Sequence, residues 1–375
     1  MNLKEKIVQY SKSIGIDLIG FTDAGPFDDL RQILLDRKIN GKLSGFEEED
    51  IQLRVDPRKT LDTAKSIIVI AMSYYVGADQ LPCSEKPKFY GELARTAWGK
   101  DYHLVLKEKL NQLADFIKNE EEDFQYKAFV DTGPLVDRYV ANRSGIGFYG
   151  YNSAIINKTY GSWIFIGYMI NNMAFEEDKS LENVHCYGCN LCIEQCPTSA
   201  IEGPYQFDAN KCLSNILQQK RDIAEDVRLL IGKKIYGCDI CQNVCPHNKG
   251  IKEMTTKEFM PKNPSHCVDL IELLHISNKE YNEIFKGNAS GWRGKKTLQR
   301  NAIIALGNYK DENPWPHLIP MLKDERPDIR KITIETLYSI HPQKTVQLIS
   351  SMKGNEKDQE VLMTIHKYLD NYKNK

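Results

Sequence analysis

Cysteine spacing carries the clearest chemistry in this sequence. Cys186-x-x-Cys189-x-x-Cys192-x-x-x-Cys196-Pro197 is followed by a shorter run, Cys238-x-x-Cys241-x-x-x-Cys245-Pro246, with Cys212 between them. Three thiols on one tight loop cap three irons of a cubane, and a fourth on the next turn points away to a second cluster, as in the bacterial ferredoxin run. On that logic Cys186, Cys189, Cys192 and Cys245 hold one [4Fe-4S] cluster, and Cys196, Cys212, Cys238 and Cys241 the other, with Cys212 placed by elimination. Structural zinc is the competing reading, because Cys-x-x-Cys pairs also build zinc ribbons. Two answering Cys-Pro runs favour iron and sulfur over separated zinc pairs. Cys83 and Cys267 have no partner by spacing and read as ordinary thiols. Two clusters one loop apart form a short electron wire, which needs a donor outside and an acceptor in the same chain.

The acceptor site is sought in the amino-terminal part. Phe129-Val130-Asp131-Thr132-Gly133-Pro134 sets a carboxylate at the end of an apolar run and before a turn. Such a group is held at a domain edge where active-site residues often lie, although an Asp before Thr-Gly-Pro also serves simply as a turn former. Gly145-Ile146-Gly147-Phe148-Tyr149-Gly150 only loosely imitates a dinucleotide fingerprint and follows a helical pattern, so it reads as a tight turn.

These residues need elements to hold them. Apolar β-type runs at 66–74, 127–130 and 163–170, with an amphipathic helix over 104–117, predict a first domain over 1–175. A metal-organised insert follows over 176–255, where cysteines crowd and periodicity fades. Helical patterning returns over 256–375, with a weak thirty-residue repeat between Arg300-Asn301-Ala302 and Arg330-Lys331-Ile332 that fits HEAT-like hairpins or a plain helical bundle. The fold class expected is α+β: an α/β domain, a ferredoxin-like double-cluster domain and an α-helical HEAT-like domain.

With 375 residues, 41% hydrophobic and 27% charged, the chain is long enough for two or three packed cores and is ordinary for a globular protein. The charged start Met1-Asn2-Leu3-Lys4-Glu5-Lys6 lacks an export signal, and the longest apolar run, 67–72, is strand-sized, so a cytoplasmic protein without membrane contact is expected. Ten cysteines in that compartment point to metal rather than disulfides. Net charge is −1, so any nucleic-acid contact must come from a local patch. Residues 286–300 carry Lys286, Arg293, Lys295, Lys296 and Arg300 beside Trp292 and no acidic residue, and Lys220, Arg221, Lys233 and Lys234 could extend that patch. A short basic run is also often just a solvated face.

Taken jointly, Val130-Asp131-Thr132-Gly133-Pro134 with Asp137-Arg138, Arg143-Ser144-Gly145-Ile146-Gly147 to Asn152, Gly161-Ser162-Trp163, Trp98-Gly99-x-Asp101-Tyr102-His103, Arg300-Asn301-Ala302 and the double cysteine run resemble the epoxyqueuosine reductases. The resemblance implies a first domain like the cobalamin-binding domain of reductive dehalogenases. It also implies reduction of an epoxide on the cyclopentane ring of a modified wobble guanine in the tRNA anticodon loop. No Asp-x-His-x-x-Gly motif is present, which suits base-off cobalamin. Asp131 matches the family's general acid, and burial is expected to raise its pKa. Arg54, Tyr102, His103, Asp131, Arg138, Asn152 and Ser162 match positions around the corrinoid. Tyr151 stands where the family often has lysine. The basic residues Lys220, Arg221, Arg293, Lys295, Lys296 and Arg300 become candidate tRNA contacts. An external low-potential donor would feed the clusters of a monomer. Two alternatives remain: a cobalamin-dependent reductive dehalogenase, or an electron-transfer module that binds neither corrinoid nor tRNA.

Overall fold

The structure is a computed structural model describing residues 1–77, 87–181, 186–261, 267–309 and 314–373; Cys83 lies outside the described residues. The chain divides into two compact units, and neither is a continuous stretch. The first takes 1–81, 99–215 and 239–260, the second 82–98, 216–238 and 261–375.

The first unit is organised by a four-stranded sheet in the order Leu18–Asp23, Ser66–Ser73, Ile164–Asn171, Tyr126–Val130, with every neighbouring pair antiparallel. All eight residues of Ser66–Ser73 are buried. Because side chains alternate along a strand, Ile68, Ile70 and Met72 enter one core and Ile67, Val69 and Ala71 the other. The helix Tyr102–Glu120 covers the first of these faces with Val105, Leu106, Leu110, Leu113, Ala114 and Ile117. Gly167 permits the close approach: a Cβ there would sit 3.2 Å from Leu110 and 3.4 Å from Leu106. The helix Leu3–Ser13 opens with a capping box between Asn2 and Glu5.

The cysteine-rich part of this unit has little regular structure. Two one-turn helices, Leu191–Glu194 and Ile240–Asn243, each carry one cysteine of these runs, Cys192 and Cys241, and a small hairpin pairs Ile201–Gly203 with Gln206–Phe207.

The second unit begins on a three-stranded sheet in which Tyr90–Leu93 lies between Lys234–Tyr236, parallel to it, and Cys267–Asp269, antiparallel to it. The helices Lys295–Gly307, Pro327–Ile340, Pro342–Met352 and Gln359–Lys373 follow, burying Ile303, Ile304, Ile334, Leu337, Ile349 and Val361. Both copies of the thirty-residue repeat are therefore helices. Their arginines are structural: Arg330 makes a two-pronged pair with Glu356 at 2.8 and 2.7 Å, and Arg300 is only 8% exposed. The Arg300 guanidinium donates to the carbonyls of Leu217, Gln219 and Arg221 at 3.2, 2.7 and 2.8 Å, and also to Asn301 Oδ1.

Truncating the side chain would strip all three carbonyls of these donors at once, and Leu217 O would keep a second one, Asn301 Nδ2 at 2.9 Å. Arg300→Ala should therefore destabilise the second unit by roughly 2–4 kcal/mol. Denaturant unfolding followed by tryptophan fluorescence should show a lower midpoint for that unit.

Candidate active site

Backbone strain marks the end of strand Tyr126–Val130. Asp131 has φ +58°, the left-handed region that a non-glycine residue adopts only when held there. Asp131 N–H donates to Asp137 Oδ2 at 3.0 Å, and Thr132 N–H turns back onto Val130 O at 2.6 Å. Gly133 packs where a Cβ would lie 2.2 Å from the Tyr168 hydroxyl, the same hydroxyl that accepts from Leu135 N–H at 3.1 Å. The loop is thus pinned on both sides of its turn, and the Asp131 side chain is left 64% exposed.

Opposite it stands the first turn of helix Tyr102–Glu120. Asp101 caps that helix by accepting His103 N–H at 3.0 Å, and the same oxygen meets His103 Nδ1 at 2.7 Å. His103 Nε2 then lies 3.5 Å from Asp131 Oδ2. Tyr102 stacks between the His103 ring, centroids 4.1 Å apart, and Phe165 at 4.2 Å. Desolvation pushes the imidazole down, but the hydrogen bonds and charges of Asp101 and Asp131 overcome it and raise His103 to about 9. Asp131 runs against the expectation of a raised pKa. Desolvation does push it up, but His103, with the Tyr102 hydroxyl and Arg138, holds it below the usual carboxylate value. At neutral pH the proton of this pair resides on the ring. Asp137 is the carboxyl that burial, reinforced by Asp131, lifts to about 7.

Three guanidiniums gather in the same unit. Burial lowers both Arg54 and Arg37; Glu47 opposes the shift at both, while Arg138 adds to it at both and Arg37 adds to it at Arg54. Arg138 Nη1 donates to Ser153 O at 2.8 Å. Sequence reading had Arg54 and Arg138 but not Arg37, an ordinary charge within helix Asp28–Ile39. Ser162 is 5% exposed and is occupied internally: its N–H donates to Asn248 Oδ1 at 2.7 Å, and its hydroxyl meets Asn248 and Gln242.

Cys186, Cys189, Cys192 and Cys245 line one cavity, together with Tyr151 and Asn152. The left-handed residues Tyr187 (φ +41°) and Gly188 (φ +79°) bend the first turn, where Cys189 N–H donates to Cys186 O at 2.9 Å. Burial raises Cys192 to about 11, and Cys186 and Cys245 add to this as neighbouring negative charges. Four thiolates so close need cationic iron among them. In the second set Cys196 lies near enough to Cys212 to raise its pKa, behind the larger effect of burial. Ala200 N–H donates to Cys196 Sγ at 3.2 Å. Cys238 ends the second unit's segment 216–238, and Cys241 lies in the helix Ile240–Asn243 of the following segment.

Within the second unit the two basic segments are joined through Gln218, whose carbonyl accepts from Arg293 at 2.6 Å and whose side chain accepts from Trp292 at 2.8 Å. Lys220 and Arg221 are exposed beside them, Lys296 is exposed and paired with Asp328, and Lys295 reaches Ile276 O at 3.3 Å. Arg300 leaves this surface: buried, with its donors spent on carbonyls and Asn301, it shapes the platform from beneath rather than facing a ligand.

Residues 54–132 match the family model described as "Epoxyqueuosine reductase QueG, DUF1730", and 185–248 match "4Fe-4S double cluster binding domain". The chain is 42% identical over 370 residues to the epoxyqueuosine reductase of Bacillus subtilis, covering 98% of this chain and 95% of that one. The chain belongs to the epoxyqueuosine reductase family. An epoxyqueuosine reductase of Escherichia coli is 31% identical, with 84% and 83% covered. A crystal structure of an epoxyqueuosine reductase with an epoxyqueuosine-modified tRNA-Tyr stem loop superposes with a TM-score of 0.93 at 41% identity, over 99% of both chains. A Bacillus subtilis structure of an epoxyqueuosine reductase, its catalytic aspartate loop swung out of the active site, also matches with a TM-score of 0.93 over 98% of both chains.

For this member of the epoxyqueuosine reductases, an NMR pH titration should show His103 with a midpoint of about 9. Asp131→Asn should return it toward the ordinary histidine value near 6.5. Because the folded value is raised, the stabilisation from the ring's ion pairs is fully present below about 6.5 and is lost as pH rises through about 9. A midpoint unmoved by Asp131→Asn would separate the two groups.

Proposed function

We propose that this chain reduces the epoxide of epoxyqueuosine in the tRNA anticodon loop to the alkene of queuosine, with base-off cobalamin as the reducing group and two [4Fe-4S] clusters as its electron supply. The carrying observation is one unit that holds a proton-bearing carboxylate–imidazole pair, three guanidiniums and a four-thiol cavity. The residues fit the groups. The half-buried guanidiniums of Arg37 and Arg54, with Arg138 acting on both, suit the phosphodiester and amide arms of a corrinoid, and the thiol cavity suits a cubane. When bound, these groups supply low-potential electrons through a low-valent cobalt.

The chain's own residues supply one of the two protons needed, and solvent the other. Removing the epoxide oxygen as water takes two electrons and two protons, and the oxygen gains negative charge as its carbon bonds break. Asp131 is ionised at rest, so it donates only after receiving the His103 Nε2 proton across the 3.5 Å contact. Asp101 holds the ring by Nδ1 and so fixes Nε2 toward Asp131. This arrangement keeps Asp131 as donor to the substrate and makes His103 its proton source.

Lys220, Arg221, Trp292, Arg293, Lys295 and Lys296 offer phosphates and unstacked bases a basic surface with an aromatic face, Trp292 being 53% exposed. An external low-potential donor reduces the clusters of a cytoplasmic monomer; no helix among the described residues is long and apolar enough to cross a membrane.

Asp131→Asn should leave iron content and corrinoid binding intact while single-turnover conversion of epoxyqueuosine stem loop falls by orders of magnitude. Unchanged turnover would remove Asp131 from the chemistry. Independently, Lys295→Glu with Lys296→Glu should weaken stem-loop binding and reduce the slope of log affinity against log salt by about one for each phosphate no longer neutralised. An unaltered slope would make those lysines solvated surface.

A further inference from the structure

Among the described residues of the first unit, the Asn152 amide and the Thr60 hydroxyl are buried donors without a partner, and of the two only Asn152 lines the thiol cavity. Asn152 is 8% exposed, and its Nδ2 is buried without a hydrogen bond. Buried N–H groups are rarely left unpaired, so an orphan of this kind marks a missing ligand atom. The amide orientation follows from its other end: Oδ1 accepts Ala154 N–H at 3.1 Å, which only the oxygen can do. The side chain lines the cavity ringed by Cys186, Cys189, Cys192 and Cys245.

The turn around it is rigid. Gly150 N–H donates to Ala154 O at 2.8 Å and Ser153 N–H to Gly150 O at 2.9 Å, closing a loop between the paired strands Phe148–Tyr149 and Ile155–Ile156. Ser153 takes φ +61°, and its carbonyl is clamped by Arg138 at 2.8 Å. A Cβ at Gly150 would lie 2.6 Å from Ile156 Cδ1 and 2.7 Å from Asn152 Oδ1, so a larger residue there would have to displace these side chains. From the same turn, Tyr151 N–H already reaches Cys186 Sγ at 3.4 Å.

We infer that the 150–154 turn is a hydrogen-bond cradle for the cluster on Cys186, Cys189, Cys192 and Cys245, with Asn152 Nδ2–H donating to a sulfur of that cluster. This rests on the iron–sulfur part of the function proposed above and goes beyond it. It also gives Asn152 a role on the iron–sulfur side in place of the corrinoid contact implied by the family resemblance. Donors to sulfur stabilise the more negative, reduced cluster and so raise its potential. Asn152 thereby sets this cluster apart from the one assigned to Cys196, Cys212, Cys238 and Cys241, and it is a positioning and tuning residue rather than a catalytic one.

The test is a redox titration of the full chain, iron-loaded and free of corrinoid, followed by paramagnetic resonance. Asn152→Leu removes the donor. Asn152→Asp keeps the acceptor for Ala154 N–H and replaces the donor with a carboxylate. Both should retain about eight irons and lower the midpoint of one cluster, further for the aspartate, while the other midpoint and corrinoid affinity stay at wild-type values. Two unmoved midpoints would overturn the inference, and so would a loss of corrinoid affinity with both midpoints unmoved. If the leucine variant loses iron, the aspartate variant decides. Wild-type protein without cluster signals would instead sink the iron–sulfur reading itself, so the two failures are distinguishable.

Discussion

The packing of one helix across one sheet fixes the reactive geometry. Tyr102–Glu120 buries an apolar stripe on the face that Ile68, Ile70, Met72 and Met169 present, and Gly167 removes the Cβ that would hold it off. Helix and strand are both stiff, so the start of one and the end of the other are set together. The first helical turn carries Asp101, Tyr102 and His103, and the strand end delivers Asp131. Burial of ordinary aliphatic residues thus pays for a 3.5 Å approach between an imidazole and a strained carboxylate. Asp137, at the start of helix Asp137–Arg143, keeps that strain from relaxing by taking the Asp131 N–H.

Electrostatics in this unit act in opposed groups. Asp101 and Asp131 hold a proton on His103, and burial lowers the guanidiniums of Arg37 and Arg54, with Arg138 adding to it and Glu47 opposing it at both. The thiols are crowded until iron arrives. Each group is under-compensated in a way that a bound ligand of the right charge would relieve, which is how binding energy and folding energy come to be shared.

Much of this frame was legible in the sequence because it follows from period and burial. The β-type runs at 66–74, 127–130 and 163–170 appear as Ser66–Ser73, Tyr126–Val130 and Ile164–Asn171, and the helix over 104–117 as Tyr102–Glu120. The turn read at 145–150 leads into the hairpin that holds Asn152. What stayed hidden is tertiary. Strand Leu18–Asp23 is short and carries Gly20, which comes close to Ser144 O. Arg37 and Asp137 look like ordinary helix charges until the fold gives them neighbours. Arg300 sits in a basic run yet is buried, because carbonyls from a segment some eighty residues earlier need its donors. The direction at Asp131 was misjudged for the same reason: nothing local to Val130-Asp131-Thr132 announces a charged imidazole from another element.

The interleaving of the two units has a consequence for how the protein is made. Tyr90–Leu93 emerges from the ribosome long before either strand that flanks it, Lys234–Tyr236 or Cys267–Asp269. Until those segments are synthesised, both of its edges are open to pairing with other chains. Segment 99–215, by contrast, belongs to a unit whose last residues are near 260. When the first unit is complete, Lys234–Tyr236 has already been made, but the other edge of Tyr90–Leu93 still waits for Cys267–Asp269. That interval is when a chaperone would be most useful to it.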